Sequence, residues 1–125
     1  MLIEAFFLKK KTAPIYQRTL NAVNKADPML INEAKQVVVQ KVQTSTDDRI
    51  FSNRWAYEIV GILGDSWASR LRRAFPLLPK NEESHFKYSV LGSVIYDYLK
   101  DHPDWEFEMR IEDDETGYSV YKRKI

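Results

Sequence analysis

The order of hydrophobic and polar positions along the chain predicts several strands. In Leu2–Lys9 both the odd-numbered and the even-numbered positions are apolar apart from one glutamate. Apolar residues on both faces are typical of an interior strand. The three consecutive valines within residues 37–42 favour a second strand, because β-branched side chains suit an extended backbone. Arg49–Ser52 is expected to return beside it after a polar turn. Trp55–Leu63 fits both a strand and a helix, and its alternating apolar positions favour a buried strand.

Helical spacing and helix-start signals predict three or four helices. Asp27 followed by Pro28 marks a helix start, because the carboxylate caps the first turn and proline suits the first helical position. Pro76 and Pro103 end helices, since proline cannot continue the backbone hydrogen bonds. The predicted helices are 14–25, Pro28 to about Ala34, Asp65 or Ser66 to Phe75, and Glu83–Asp101.

The C-terminal segment predicts a β-hairpin over Glu106–Arg123. Phe107, Met109 and Ile111 alternate with charged residues, so these three side chains are expected on one face. Residues 113–117 form the turn, with a glycine that tolerates a positive φ angle. The basic residues at the end of the second strand are expected opposite the acidic residues of the first, where opposite charges stabilise strand pairing.

Length and composition fit one folded domain. The chain has 125 residues, of which 44% are hydrophobic and 13% aromatic, ordinary values for a globular core. We therefore expect a single α+β domain over residues 1–125, with a mixed or antiparallel sheet of about five or six strands. The helix at 83–101 is expected to pack against the sheet that contains the final hairpin.

Cysteine usage and apolar run lengths bear on the location of the protein. The chain has no cysteine, which excludes disulfides and thiolate metal ligands. Basic residues follow the first apolar run rather than precede it, which is the wrong order for a secretion signal. No stretch approaches the ~20 apolar residues that span a bilayer. We expect a cytoplasmic protein with no membrane partner.

The net charge of +1 conceals an uneven distribution of charge along the chain. Residues 1–80 carry 13 Lys/Arg against 7 Asp/Glu, whereas residues 81–125 carry 6 against 11. A basic part of this kind indicates a surface that faces a polyanion. Alternatively, the acidic part neutralises the basic part within one fold, which explains the same numbers of charged residues without a polyanionic ligand.

Two groups of basic residues, with aromatic residues between them in sequence, are the candidate nucleic-acid site. If the groups share a face, their side chains would contact phosphates while the rings stack on unpaired bases. Alternatively, the arginines form a solvated helix face and the aromatic residues belong to the core. The candidate residues are Lys9, Lys10, Lys11, Arg18, Trp55, Tyr57, Arg70, Arg72, Arg73 and Lys80, with Trp67 as a further stacking residue.

No catalytic or metal-binding motif stands out. The chain has two histidines, which with scattered acidic residues do not make a zinc site. Its four glycines form neither a phosphate-binding loop nor a nucleophile elbow. Asp97 and Asp101 share a helix face. A pair of carboxylates in this arrangement is as consistent with a solvent-exposed helix surface as with acid–base chemistry. We expect no enzyme activity, no cofactor and no metal site.

In length, lack of cysteine and strand–helix layout, the chain resembles the PrgU-like small regulators of Gram-positive conjugative plasmids. The residues that carry the resemblance are Leu2–Lys9, the Arg70–Arg73 group and the C-terminal hairpin. It implies a PUA-like, RNA-binding fold and control of surface-adhesin expression. The chain is also similar to small winged-helix regulators of conjugation operons, in which a recognition helix precedes a two-stranded wing. Neither resemblance assigns a role to a particular residue.

Two functions are consistent with these patterns. The first is a small regulator from a plasmid or another mobile element that binds RNA or DNA, with RNA favoured. The second is a protein-interaction or inhibitor module, such as an antitoxin, immunity or phage accessory protein. It would act through the acidic hairpin segment Glu106–Glu115 or through an edge strand added to a partner's sheet. Exposed aromatic residues would equally serve a homodimer interface.

Overall fold

Four helices and a three-stranded antiparallel sheet make up the described residues, 13–112 and 117–124, of the computed structural model. The helices are α1 (Ala13–Ala26), α2 (Pro28–Thr44), α3 (Ser52–Ala74) and α4 (Glu83–Leu99), and a short 3-10 helix at Lys80–Glu82 precedes α4. The strands are β1 (Arg49–Phe51), β2 (Trp105–Glu112) and β3 (Gly117–Arg123). The predicted strand Leu2–Lys9 and the hairpin turn at 113–116 lie outside the described residues.

The α+β class and the helix count agree with the prediction, but the prediction of five or six strands was wrong. The valine run at 37–42 lies inside α2, and Trp55–Leu63 lies inside α3. In α2 the buried residues repeat at every fourth position, which places them on one side of a helix: Leu30, Ala34, Val38 and Val42. Burial of this stripe outweighs the extended-chain preference of the valines. The predicted end of α2 at Ala34 was therefore ten residues too early.

The start of α2 follows the predicted capping signal. Asp27 has an extended backbone, and its side chain accepts a hydrogen bond from the backbone N–H of Met29 at 3.1 Å. Pro28 occupies the first turn, where its missing N–H has no helical partner to lose. The sharp junction between α1 and α2 is thus encoded by two adjacent residues.

The predicted helix at 65–75 is the second half of a longer helix that bends at Gly64. This residue has φ 81° and ψ −178°, far from helical values. In a straight helix Trp55 and Leu71, sixteen residues apart, would point about 160° from each other. Both are buried, at 3% exposure. The bend therefore lets both halves of α3 turn an apolar side towards the core.

The core lies around α4, which contacts each of the other three helices. Seven of its residues are buried, and they occupy several sides of the helix: Ser89, Val90, Leu91, Ser93, Val94, Ile95 and Leu99. Helix α4 was predicted to pack against the sheet. It does contact strand β2, but this contact is smaller than its contacts with the other helices. Tyr16 of α1 stacks on Tyr96 of α4 with ring centres 4.4 Å apart. The Trp67 indole N–H donates to the backbone oxygen of Leu30 at 3.0 Å and ties α3 to α2.

In the sheet β3 lies between β1 and β2. The predicted strand at Arg49–Ser52 is present as β1, but it pairs with β3 rather than with the valine run. The expected charge pairing across the hairpin is also present, since Lys122 Nζ lies 3.6 Å from a Glu106 carboxylate oxygen. The sheet thus joins a short strand from the middle of the chain to the C-terminal hairpin.

An irregularity in β2 changes which side chains share a face. The register shifts between Phe107, which is opposite Tyr121, and Met109, which is opposite the next residue, Val120. A bulge of this kind adds one residue to a strand and reverses the alternation beyond it. Phe107 therefore lies on the Tyr121 face, while Met109 and Ile111 lie on the other. The prediction that all three share one face was wrong.

Candidate ligand-binding groove

Two of the predicted basic residues, Arg70 and Arg72, are engaged by carboxylates. Arg70 binds both carboxylate oxygens of Glu33, at 3.0 and 2.8 Å, and lies 3.6 Å from Asp27 Oδ2. The hydrogen bond to Glu33 is the main reason that the pKa of Arg70 is raised. Arg72 lies 3.7 Å from a carboxylate oxygen of Glu83. Arg18, Arg73 and Lys80 are exposed, and Lys9, Lys10 and Lys11 lie outside the described residues.

Of the predicted aromatic residues, only Tyr57 has a well-exposed ring. It is 70% exposed, and its ring packs against that of Tyr88 with centres 6.3 Å apart. Trp55 and Trp67 are 3% and 1% exposed and belong to the core. A base can stack only on a ring whose face is open to solvent. The two tryptophans therefore do not provide an open stacking platform in this conformation.

The helix before the hairpin does not have the surface of a recognition helix. Such a helix enters the major groove of DNA and must expose a polar face to the bases. Helix α4 instead contacts α1, α2 and α3, and its residues Val90, Leu91 and Ile95 are fully buried. Burial on several sides of α4 does not support the reading of duplex DNA by this helix, and the resemblance to winged-helix regulators stays a prediction.

A groove of about 590 Å³ opens between the end of α2, the following loop, β1 and the first turns of α3. This volume lies within the range of about 300–1,000 Å³ that is usual for ligand sites. The groove is lined by Lys41, Thr44, Ser45, Thr46, Asp47, Arg49, Phe51, Arg54, Trp55 and Glu58. Trp55 is the one residue of the predicted nucleic-acid site in this lining.

Two of the groove cations lie against aromatic rings. Lys41 Nζ is 4.7 Å from the centre of the Trp55 ring and 3.1 Å from Glu58 Oε1. The Arg54 guanidinium lies 5.5 Å from the centre of the Phe51 ring. Among the described residues, no carboxylate forms an ion pair with Arg54. Arg54 is therefore the groove cation that is available to an incoming anion.

The third groove cation, Arg49, is held by a carboxylate from the hairpin. Its Nε and Nη2 atoms donate to the two carboxylate oxygens of Glu108 at 2.8 and 3.0 Å. This hydrogen bonding lowers the pKa of Glu108 and raises that of Arg49. The bidentate pair joins β1 to β2 across the intervening strand β3. It fixes the position of Arg49 at the edge of the groove.

The Arg49–Glu108 pair predicts a dependence of stability on acid pH. The pKa of Glu108 in the folded state lies below its ordinary value of 4.5, so folding favours the ionised carboxylate. The resulting stabilisation is complete above pH 4.5 and is lost as the pH falls through the lower, folded-state pKa. We expect the free energy of unfolding of the wild type to fall more steeply than that of Glu108→Gln below pH 4.5. Urea denaturation at a series of pH values measures this difference, and parallel pH curves would contradict it.

One wall of the groove, the loop at 45–48, is fixed by Arg123 at the end of β3. The Arg123 Nη2 atom donates to the backbone oxygens of Ser45 and Asp47 at 3.1 and 2.9 Å. Its backbone N–H donates to the oxygen of Asp48 at 2.9 Å. The guanidinium also lies 4.5 Å from the centre of the buried Trp105 ring. Strand β3 therefore holds this wall in place, so the groove is preformed.

Sequence reasoning missed Lys41, Arg49 and Arg54 as site residues. They lie in three different elements, and the groove exists only because α2 extends to Thr44 before the chain turns into β1. The prediction placed Lys41 on a strand beside Arg49–Ser52, so it contained no groove between the end of a helix and β1. The signal that could have found the site is the four-residue spacing of buried positions in α2.

Neither a membrane-spanning helix nor a metal-binding cluster occurs in the described part of the chain. None of the helices in residues 13–112 is long and apolar enough to cross a lipid bilayer. Within the described ranges, no cluster of three or more histidine, aspartate or glutamate side chains is suited to hold a metal ion.

Comparison with known proteins adds no relative. No protein-family model, curated protein or solved structure matches the chain. The resemblance to PrgU-like regulators therefore stays a prediction, and the function has to be argued from the groove itself.

Proposed function

We propose that the protein is a small cytoplasmic regulator that binds single-stranded RNA in the groove. The observation that carries the proposal is the meeting of three cationic side chains and the ring of Phe51 in one concavity, where the buried Trp55 ring lies against Lys41. Cations bind the phosphates of a nucleic acid without regard to sequence. Aromatic rings and arginine planes stack on bases that are not paired. Both kinds of group are needed for an unpaired nucleotide.

Each side of the groove has a role in this proposal. Arg54, which has no carboxylate partner among the described residues, binds the phosphate and presents its plane beside Phe51 for the base. Helix α3 begins next to Phe51 without a side-chain cap, so its partly positive N-terminus also favours an anion. Thr46 lines the groove with a hydroxyl that is suited to a hydrogen bond with the sugar, whereas the Thr44 hydroxyl already donates to the backbone oxygen of Gln40 at 2.9 Å.

The proposal favours single strands over duplexes. Recognition of duplex DNA by sequence needs an element that enters a groove, and α4 packs against the other three helices. A groove of about 590 Å³ accepts one flexible nucleotide rather than a double helix. An unpaired strand therefore matches the groove better than a duplex does.

Fluorescence anisotropy with labelled single-stranded RNA, single-stranded DNA and duplex DNA tests the proposal. We expect salt-dependent binding to the single strands, because each phosphate contact releases counterions. Arg54→Glu is expected to weaken RNA binding about tenfold or more, since a hydrogen bond to a charged group contributes about 1.5–3 kcal/mol. Arg73→Glu is the matched control, because it reverses an exposed arginine on the same helix that does not line the groove.

The outcomes separate a local site from general charge attraction. Equal weakening by both reversals would mean that net charge, and not the groove, controls binding. Absence of RNA binding by the wild type at low salt would overturn the proposal.

A protein-interaction role is the second candidate, and one observation favours it. Phe107 and Met109 are 57% and 44% exposed on β2, which lies at the edge of the described sheet. Exposed apolar side chains on an edge strand suit addition of a partner strand. The bulge between these residues is, however, a feature by which natural sheets prevent such pairing. This candidate becomes the one to test if RNA does not bind.

A further inference from the structure

Three side chains form a row at the start of α3, at a spacing of three residues: Phe51, Arg54 and Tyr57. Side chains three positions apart on a helix are neighbours, with Cβ atoms about 5–6 Å apart. The Arg54 guanidinium lies 5.5 Å from the centre of the Phe51 ring, so the first two members of the row are in contact. Phe51 and Arg54 line the groove, whereas Tyr57 lies one step beyond its lining. The row therefore leads out of the groove along α3.

The Tyr57 ring is exposed and yet held in place. The residue is 70% exposed, and its ring stacks at 25° on the ring of Tyr88 from α4, with centres 6.3 Å apart. Tyr88 is half-buried and packs against the core, so it supports one side of the Tyr57 ring. Gly61, which follows Tyr57 by one helical turn, places no side chain beside it. The remaining face of the ring is therefore open to solvent.

The surface at this ring pair favours an anion. Lys87 Nζ lies 5.5 Å from the centre of the Tyr88 ring. Among the described residues, neither Lys87 nor Arg54 forms an ion pair with a carboxylate. The charge of Glu58, the nearest acidic residue in sequence on α3, is offset by Lys41 at 3.1 Å. Each ring of the pair thus has a cation beside it that is available to a phosphate.

We propose that Tyr57 and Tyr88 form a second nucleotide subsite, on which the base next to the groove-bound nucleotide stacks. This inference rests on the RNA-binding function proposed above and extends its ligand from one nucleotide to a single strand of two or more. The groove of about 590 Å³ accepts one nucleotide, so the next base of a strand has to lie outside it. An open aromatic face binds such a base whatever its identity. Arg54 binds the phosphate that joins the two nucleotides, and Lys87 binds the phosphate beyond the second base.

The first test separates the second subsite from the groove by the length of the ligand. Binding of fluorescently labelled hexauridylate is measured by anisotropy, and binding of uridine 5′-monophosphate by the chemical shift of the Trp55 indole N–H at the groove. We expect Tyr57→Ala to weaken hexauridylate binding about 5- to 100-fold, as loss of one stacked base gives, and to leave the affinity for the monophosphate unchanged. Arg54→Glu should weaken the binding of both ligands.

Two further variants make this result specific to the ring. Tyr57→Phe keeps the ring and removes only its hydroxyl, so it should bind hexauridylate as tightly as the wild type does. Ile62→Ala is the matched control, because Ile62 is also an exposed apolar residue of α3, at 62%, and lies about 140° around the helix from Tyr57. This variant should leave both affinities unchanged.

The second test concerns Lys87. Lys87→Gln should reduce the slope of log K against log salt for hexauridylate by about 0.7, because one phosphate contact is lost. Lys80→Gln is the matched control, since Lys80 is an exposed lysine in the short helix before α4. It should leave the slope unchanged, and an equal reduction in both variants would overturn the contact assigned to Lys87.

Failure of this inference differs from failure of the proposed function. If Tyr57→Ala binds hexauridylate as tightly as the wild type while Arg54→Glu does not, the second subsite is overturned and RNA binding in the groove stands. Equal weakening of both ligands by Tyr57→Ala would also overturn it, because the ring would then support the groove itself. A change in self-association of Tyr57→Ala without a change in RNA affinity would assign the ring pair to an interface between copies of the chain. Absence of RNA binding by the wild type would overturn the function and the inference together.

Discussion

Gly64→Ala is expected to destabilise the fold by about 1–3 kcal/mol, the usual cost of a side chain held in a sparsely populated backbone region. Gly64 has φ 81° and ψ −178°, a combination that glycine adopts and other residues avoid. A Cβ built on this glycine has no other atom within 4 Å. The expected loss therefore comes from the backbone conformation and not from crowding.

Gly61→Ala, three residues earlier on the same helix, should have the opposite effect. Gly61 does not have a positive φ, and a Cβ there also meets no atom within 4 Å. Alanine favours a helix over glycine by up to about 1 kcal/mol, so this variant should be as stable as the wild type or more stable. Urea denaturation of both variants measures the two free energies of unfolding. A loss of equal size in both would show that the bend at Gly64 is not required.

The bend has a consequence for the site as well as for the core. The first half of α3 carries Arg54, Trp55 and Glu58 into the groove, and the second half buries Trp67 and Leu71. The direction of the first half relative to the second is set at Gly64, where the backbone leaves helical values. We expect Gly64→Ala to weaken RNA binding because the first half of α3 changes direction. This loss of affinity should be seen even under conditions in which the variant is fully folded.

Local signals in the sequence were sufficient to predict the elements whose ends are marked by single residues. Asp27 with Pro28 marked the start of α2, and Pro103 marked the end of α4, because these effects depend on neighbouring backbone atoms alone. The valine run at 37–42 misled the prediction for the opposite reason. Intrinsic preference favoured a strand there, whereas packing of a helical stripe against the core favoured α2.

The uneven charge distribution was visible in the sequence, but its meaning depended on contacts between distant residues. Arg70 meets Glu33, thirty-seven positions away, and Arg49 meets Glu108, fifty-nine positions away. Spacing in the sequence does not predict such pairs, because they are set by how helices and strands pack. The same limit applies to the groove, whose cations come from α2, β1 and α3. Composition indicated a basic surface, and packing decided which cations were left for a ligand.

Arg123→Ala is expected to lower the free energy of unfolding by about 2–3 kcal/mol. The variant removes two hydrogen bonds from a charged donor to the backbone oxygens of Ser45 and Asp47, each of which is then left without this partner. It also removes the contact of the guanidinium with the Trp105 ring, worth about 0.5–2 kcal/mol. Amide hydrogen exchange at residues 45–48 should become faster by a larger factor than exchange in α4, because the loss is centred on the loop.

Lys122→Ala is the matched control for Arg123, since it removes the adjacent basic side chain from the same strand. Lys122 and Glu106 form a pair at 3.6 Å with side chains 43% and 46% exposed, and such surface pairs contribute less than about 1 kcal/mol. This variant should leave the exchange rates at 45–48 and RNA binding unchanged. Arg123→Ala should weaken RNA binding in proportion to the loss of order in the loop, because a mobile wall must be ordered again when ligand binds. Unaltered RNA affinity in Arg123→Ala with a mobile loop would mean that the loop is not part of the binding surface, which would confine the site to the lining residues of α2, β1 and α3.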